Sequence, residues 1–136
     1  MTTYPAPGRH RPVPASTYAR ALTLAWDSRP EIAESLTDYR DPATVTGQAY
    51  MSHDRSSGFI VRDGELVGVF STRKGAGDVI MRDALDAGAV RLDCFDGYLP
   101  AFYARHGFRE TSREPNWTPG GPDVVYMSLD AARVAA

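Results

Sequence analysis

The segment over residues 96–108 constrains the fold most, because it encloses a short helix between two strand-like stretches. Aromatic and apolar side chains recur there at spacings of three and four, which places them on one helix face: Leu99, Phe102, Tyr103 and His106. Pro100 suits the first turn of a helix, and Gly107 suits the left-handed residue that ends one. Residues 90–95 and 108–114 are therefore predicted to be strands on either side.

A hairpin and a strand–helix–strand crossover are predicted before this helix. Asp63-Gly64 is a two-residue hairpin turn, and the arm that follows is apolar on both faces, as in a central strand covered from both sides. A helix then joins this arm to the next strand in a β-α-β unit. The predicted boundaries are 59–62 and 65–72 for the hairpin strands, 78–87 for the helix, 90–95 for the crossover strand and 123–129 for a last strand.

The N-terminal half is predicted to be helical after an extended leader. Prolines punctuate residues 1–15, which show no periodicity, and Ser16 is a suitable cap for a helix over residues 16–26. The sequence from Ser28 to Glu31 is a capping box that predicts a second helix to about Tyr39, and Asp41 precedes a possible short third helix. We expect a leader over residues 1–15 and a single domain over residues 16–136.

Composition indicates an ordinary globular protein. The 136 residues are 43% apolar and 24% charged, and no apolar run approaches the roughly 20 residues that span a bilayer. The N-terminus lacks the apolar block of a secretory signal, so we expect a cytoplasmic protein without a membrane partner. The single cysteine, Cys94, predicts neither an internal disulfide nor a metal cluster.

The charge pattern leaves one partner open. A net charge of −2 gives no general attraction to nucleic acid. Residues 1–29, however, carry four arginines against Asp27 alone, which is compatible either with a solvated leader or with a basic arm that touches an acidic partner.

Two motifs make the chain resemble a known family. Phe102-Tyr-x-x-x-Gly-Phe108 lies between two strands, and Gly75-Ala-Gly77 opens a helix inside the β-α-β unit. Together with the element order over residues 58–130, they resemble the GNAT family, the GCN5-related N-acetyltransferases. The resemblance implies an α/β (α+β) fold, with a mixed, mostly antiparallel sheet and helices on both faces. It also implies direct acetyl transfer from acetyl-CoA to a primary amine, without a metal.

The glycine loop, residues 72–77, is the predicted cofactor site. Backbone N–H groups at a glycine-opened helix N-terminus bind phosphate, and the resemblance assigns this place to the CoA pyrophosphate. The chain departs from the family pattern at Thr72, Asp96 and Leu99, and the carboxylate of Asp78 would repel a pyrophosphate or cap the helix instead. The candidate cofactor residues are Phe70, Ser71, Thr72, Arg73, Lys74, Gly75, Ala76, Gly77, Asp78 and Tyr103.

Tyr103 is the candidate acid. A phenol with a pKa of about 10 stays protonated at neutral pH, and the resemblance assigns to it protonation of the departing CoA thiolate; the alternative is a core aromatic. A carboxylate or histidine must act as base, and the candidates are Glu65, Asp93, Asp96 and His53. Tyr103, Glu65 and Asp96 form the predicted catalytic set.

The loop over residues 115–122 is the candidate acceptor wall. The resemblance implies that the connection between the last two strands borders the acceptor pocket, so Trp117 and Asn116 are candidate substrate contacts; alternatively, Trp117 pins the loop onto the core. Cys94 is predicted to be a buried filler rather than a nucleophile.

Two other functions stay open. The oligomeric state also stays open, with a homodimer as one alternative. One of the two functions is a GNAT-fold binding or inhibitory protein without acetyl transfer, which the departures from the family pattern favour. The other is a transferase that acts on a nucleic acid or protein partner through residues 1–29. The acceptor is otherwise predicted only as a small-molecule or protein amine.

Overall fold

The computed structural model describes residues 9–28, 39–73 and 75–129. They form a seven-stranded sheet in the order β1-β2-β3-β4-β5-β7-β6, with three α-helices. The strands are β1 His10–Val13, β2 Gln48–Ser52, β3 Ser57–Arg62, β4 Glu65–Ser71, β5 Arg91–Phe95, β6 Phe108–Glu114 and β7 Val124–Leu129. The helices are α1 Ala15–Ser28, α2 Gly77–Asp86 and α3 Leu99–Ala104, with a short 3-10 helix at Pro42–Thr44.

The sheet is mixed and mostly antiparallel, as predicted. Only the β4–β5 pair is parallel, and α2 is the crossover that joins these two strands. One core packs α1 against one face of the sheet through Tyr18, Leu22, Ile60 and Phe70. The other packs α2 and α3 against the opposite face through Phe59, Ile80, Met81, Tyr103 and Phe108. The expectation of helices on both faces is therefore confirmed.

Most predicted elements are present within one to three residues of their expected ends. The Asp63-Gly64 turn has positive φ angles of 52° and 82°, as a hairpin turn of this kind requires. The Asp41 side chain caps the 3-10 helix by accepting from the N–H of Ala43. The second helix predicted to end near Tyr39 lies outside the described residues. None of the described helices is long and apolar enough to cross a membrane.

Two strands were missed, and one of them corrects the expected leader. β1 pairs antiparallel with β2 at the edge of the sheet, so residues 10–13 belong to the fold rather than preceding it. The prolines that suggested a leader are tolerated there, because Pro12 needs no ladder partner on its outer side. β2 escaped notice because its five residues show no regular alternation of apolar and polar side chains.

A buried polar chain pins β1 to the rest of the molecule. The His10 ring places Nδ1 2.7 Å from Asp83 Oδ2 and Nε2 2.7 Å from Ser57 Oγ, while the His10 backbone N–H also donates to Asp83 at 2.7 Å. The arrangement resembles a catalytic triad, but Ser57 is 1% exposed and does not line the cleft described below. These hydrogen-bonded side chains therefore connect β1, β3 and α2.

A β-bulge shapes the middle of β4. The β3–β4 register passes from Gly58↔Phe70 to Ile60↔Val67, so β4 carries one extra residue there. Gly68 has φ of 64°, and a Cβ on it would lie 2.5 Å from Tyr18 Oη. The Tyr18 hydroxyl instead donates to the Gly68 carbonyl. The bulge therefore requires glycine both for its backbone angle and for the close approach of Tyr18.

Candidate active site

A cleft opens where β4 and β5 diverge. Their parallel pairing covers only Glu65↔Arg91 and Leu66↔Leu92, after which the strands separate. The gap is part of a cleft of about 940 Å³ that is lined from both faces of the sheet. We call the half on the sheet face that α2 and α3 cover the α2 side, and the half on the face that α1 covers the α1 side. The β4 backbone beyond Leu66 faces the gap without a β5 partner, which is the edge an extended ligand chain can join.

The α2 side carries the glycine loop at one end. Gly75 has φ of 80°, and a Cβ there would meet nothing within 4 Å, so the backbone lies open to a ligand. α2 begins at Gly77 with no side-chain cap, which leaves its first N–H groups without a capping side chain. Gly77 has a different role, because a Cβ on it would lie 2.9 Å from the Phe102 ring. Of the predicted cofactor residues, those that line the cleft are Phe70, Ser71, Gly75, Gly77, Asp78 and Tyr103.

The other predicted cofactor residues do not line the cleft. The Thr72 hydroxyl donates to the Ser56 carbonyl at 3.1 Å, and Arg73 pairs with Asp54 at 3.0 Å. Hydrogen bonds from Ser56 lower the pKa of Asp54 to about 2, so this carboxylate stays ionised and holds Arg73. Ala76 packs against the core, and Lys74 lies outside the described residues. Thr72 and Arg73 are thus directed towards the β2–β3 turn rather than towards a ligand.

Asp78 is paired with the end of α3. Its Oδ1 lies 3.0 Å from His106 Nε2 and 3.6 Å from the Arg105 guanidinium. The expected helix cap is absent, since Asp78 makes no capping hydrogen bond at α2. Arg105, just beyond α3, lines the cleft, and its guanidinium is already paired with the Asp78 carboxylate. Nothing in the sequence marked Arg105, because its role depends on how α2 and α3 meet.

Tyr103 lies between the core and the cleft. It packs edge-on against Phe102 and Phe108, with centroid distances of 5.1 and 6.2 Å, and it also lines the cleft. Burial, followed by the nearby Cys94, raises the pKa of the Tyr103 phenol well above its usual value. The phenol therefore stays protonated at neutral pH.

The α1 side is acidic and aromatic. Asp93 lies between Leu92 and Cys94, which pack into the α2-side core, so the alternation of the strand turns Asp93 towards the α1 side. Its neighbour across the sheet is Tyr126. Glu65 follows the same alternation next to Leu66 and pairs with Arg62 at 3.3 Å. The α1 side is completed by Tyr39, Phe95, Trp117 and Val124.

Asp93 has the electrostatics of a base. Burial, with a smaller contribution from Glu65, raises the pKa of its carboxyl above the usual value of aspartate. None of the described residues donates a hydrogen bond to it. A carboxylate with a raised pKa takes up a proton at a higher pH than an ordinary aspartate, and it can pair with an ammonium group.

Three predicted site residues lie elsewhere. Asp96 does not line the cleft, and its hydrogen bond from Arg113 at 2.9 Å lowers its pKa, which makes it a poor base. Asn116 closes its own loop, donating to the Pro122 carbonyl at 2.8 Å and accepting from the Thr118 N–H at 2.8 Å. His53 is exposed in the β2–β3 turn. Asp96 and Asn116 thus make their hydrogen bonds within the chain, and neither lines the cleft.

Cys94 lies between Asp93 and Phe95 on β5, and it lines the cleft. Burial and then Asp93 raise the pKa of its thiol to about 11, so it is not ionised at neutral pH. A thiol in this state is a weak nucleophile. In the part of the chain that the structure describes, no group of three or more histidine, cysteine or acidic side chains is arranged to hold a metal ion.

Solved structures resemble this architecture over nearly the whole chain. The apo form of YjaB from Escherichia coli has a TM-score of 0.57 at 12% identity, covering 90% of this chain and 97% of that one. A Lactobacillus plantarum protein provisionally named an N-acetyltransferase has a TM-score of 0.55 at 16% identity, covering 89% and 98%. A Klebsiella pneumoniae protein provisionally named an acyl-CoA N-acyltransferase has a TM-score of 0.50 at 12% identity, covering 90% and 97%.

These similarities show that the chain has the GNAT fold, the fold of N-acetyltransferases. The resemblance inferred from the sequence is confirmed at that level. No protein-family model matches the sequence, and no curated protein matches it.

Proposed function

We propose that the protein is an acyl-CoA-dependent N-acetyltransferase that moves an acetyl group from acetyl-CoA to a primary amine. The main support is the cleft itself: β4 and β5 separate beyond Leu66 and Leu92, so a ligand on the α2 side can meet a second one on the α1 side. The unpaired edge of β4 suits the amide groups of the pantetheine arm, and the open backbone at Gly75 suits the pyrophosphate.

Acid and base lie on opposite sides of this cleft, as direct transfer requires. Acetyl-CoA, when bound, supplies the acyl carbon, and the new C–N bond forms as the C–S bond breaks. Asp93 binds the ammonium form of the acceptor and takes its proton, which leaves a neutral nitrogen able to attack. Tyr103 donates its hydroxyl proton to the departing sulfur, and it is reprotonated through solvent by the second proton that the nitrogen releases as the amide forms. Glu65 is close enough to Asp93 to raise its pKa, and so acts on the base rather than in its place.

A GNAT-fold protein without transferase activity is the second candidate. It is favoured by one observation: the side chains of Thr72, Arg73 and Asp78, expected near the pyrophosphate, are engaged within the chain itself. A binding protein of this kind would show neither stabilisation by acetyl-CoA nor thiol release. The macromolecular acceptor that the charge of residues 1–29 suggested stays a prediction, since much of that segment lies outside the described residues.

Release of free CoA thiol in the presence of amines tests the proposed activity. We expect Tyr103→Phe to lower kcat by about tenfold to a hundredfold, because it removes the acid. Tyr50→Phe is the matched control, because Tyr50 stacks on Phe59 at 5.0 Å and does not line the cleft. Acetylation that is equally fast in both variants would exclude Tyr103 as the acid, and wild-type protein that releases no thiol with any amine would favour the binding protein.

A further inference from the structure

We propose that the acceptor is an arylalkylamine: one amino group, cationic in solution, joined by a short chain to a flat uncharged ring. This inference rests on the proposed function and names the substrate class of the same cleft.

The charges of the α1 side favour a single cation. Asp93 has no hydrogen-bond partner among the described residues. The neighbouring carboxylate of Glu65 pairs with Arg62 at 3.3 Å, and the hydroxyl of Tyr126, which pairs with Asp93 across the sheet, donates to Glu114 at 3.2 Å. One carboxylate is thus left for one ammonium group. An acceptor with its own carboxylate or phosphate would meet these acidic groups, with Arg62 already paired.

The rings of the α1 side favour an aromatic body. Trp117 is 78% exposed although it lies at the edge of the cleft, and its ring is tilted by 55° to Phe95 at a centroid distance of 6.2 Å. This geometry leaves an indole face uncovered beside a second ring. Flat apolar ligands gain most from such a surface, because ring–ring contacts add to the area that they bury.

The strand geometry sets the length of the linker. Asp93 and Phe95 are two residues apart on β5, so their side chains lie on the same face about 7 Å apart along the strand. An amine nitrogen at Asp93 and a ring at Phe95 and Trp117 therefore require a linker of about two or three carbons, since each bond spans about 1.5 Å. A longer polyamine would extend its second ammonium past Asp93 onto the aromatic wall.

Initial rates with a small set of amines test this inference. We expect kcat/KM for 2-phenylethylamine to exceed that for n-butylamine about tenfold, as a good ring contact supplies about 1.4 kcal/mol. Phenylalanine, which adds a carboxylate to the same skeleton, is expected to be poorer than 2-phenylethylamine, and spermidine to resemble n-butylamine. Trp117→Ala should remove most of the preference, whereas Leu24→Ala, at an exposed apolar residue of α1, should retain it.

Two readouts separate failure of this inference from failure of the proposed function. Stabilisation by acetyl-CoA tests the cofactor site, and added stabilisation by 2-phenylethylamine in the presence of CoA tests the acceptor without turnover. If acetyl-CoA stabilises the protein but n-butylamine, spermidine or a peptide N-terminus is preferred, the arylalkylamine inference is overturned. The same holds if no arylalkylamine reacts or binds, or if Trp117→Ala keeps the preference. If acetyl-CoA does not bind, the proposed function and the arylalkylamine inference are both contradicted.

Discussion

At the scale of single residues, the proposed chemistry depends most on Asp93. Partial desolvation of its carboxyl, followed by the nearby charge of Glu65, raises the pKa of Asp93 and favours its protonated form. The same environment that makes it a useful base therefore costs stability when it is ionised. Function and folding thus place opposite demands on this residue, as is common in active sites.

Asp93→Asn is expected to slow the enzyme and stabilise the fold. We expect kcat/KM to fall by about a hundredfold, since the base is lost, and the acid limb of the pH profile to disappear. The raised pKa of Asp93 contributes stability below the usual pKa of aspartate, and this contribution is lost as the pH rises through the raised value. The variant should therefore melt above the wild type at neutral pH, and the difference should vanish in acid.

Asp86→Asn provides the control for both measurements. Asp86 is exposed at the C-terminal end of α2 and does not line the cleft. An Asp93→Asn variant with wild-type activity, or one that melts no higher than Asp86→Asn at pH 7, would contradict this account of Asp93.

Asp78→Asn is expected to strengthen binding of acetyl-CoA. The carboxylate holds Arg105 and His106 at the end of the cleft where the pyrophosphate is expected, and its own charge repels phosphate. Removing the charge should lower the Kd by about twofold to fivefold at low ionic strength, with a smaller effect in high salt. Isothermal titration of acetyl-CoA into the wild type and Asp78→Asn, with Asp86→Asn as the reference variant, measures the change in Kd. Binding that weakens in Asp78→Asn would show that Asp78 organises the site instead.

At the scale of elements, the bulge in β4 lies just beyond the residues where the β4–β5 pairing ends. The sequence allowed a strand over residues 65–72 to be predicted, and its apolar faces indicated a central position. Gly68 was not recognised as a bulge, because the reason for it is the Tyr18 hydroxyl from α1, fifty residues away. Trp117 was predicted from its loop, whereas Tyr126 and Arg105 entered the site only through strand pairing and helix packing.

Gly68→Ala tests the bulge. A Cβ would meet the Tyr18 hydroxyl at 2.5 Å in a backbone with φ of 64°, so we expect a loss of about 2–4 kcal/mol in the free energy of unfolding. Gly88→Ala has a similar φ of 97° with open space around it and should lose only about 1–2 kcal/mol. In a Tyr18→Phe background the gap between the two variants should narrow. If urea titrations show that Gly68→Ala and Gly88→Ala lose equal free energy of unfolding, the proposed contact with Tyr18 is contradicted.

His10→Ala tests the attachment of β1. The substitution leaves the buried Asp83 carboxylate without its ring partner, and we expect a loss of about 3 kcal/mol in unfolding free energy. His53→Ala, in an exposed turn, should change stability by less than about 0.5 kcal/mol. Similar unfolding midpoints for the two histidine variants would show that the polar chain does not hold the edge strand.

At the scale of the whole molecule, the order of the elements along residues 58–129 followed from the sequence patterns there, and the resemblance to the GNAT family implied a mixed sheet with helices on both faces. Local signals sufficed there, because each turn and each helix end carried its own marker, such as Asp63-Gly64 or Gly107. The edge strand β1 and its neighbour β2 did not follow. β1 is held by a distant residue, Asp83, and β2 has no regular alternation of apolar and polar side chains. Of the residues that form the candidate site, Tyr103 and the glycine loop were predicted from the sequence, while the arrangement of the α1 side depends on the pleat of β5 and β7.

The central claim is that the cleft binds acetyl-CoA across the glycine loop, and the melting temperature with and without millimolar acetyl-CoA tests it most directly. At a ligand concentration of 100 Kd, we expect a stabilisation of about 2.7 kcal/mol, which is a rise of several degrees. Gly75→Glu should lose this rise, because its carboxylate would face the pyrophosphate. Gly120→Glu should keep it, since Gly120 has nearly the same φ, 82° against 80°, and equally open surroundings outside the cleft. No rise in the wild type, or an equal rise in both variants, would contradict the claim.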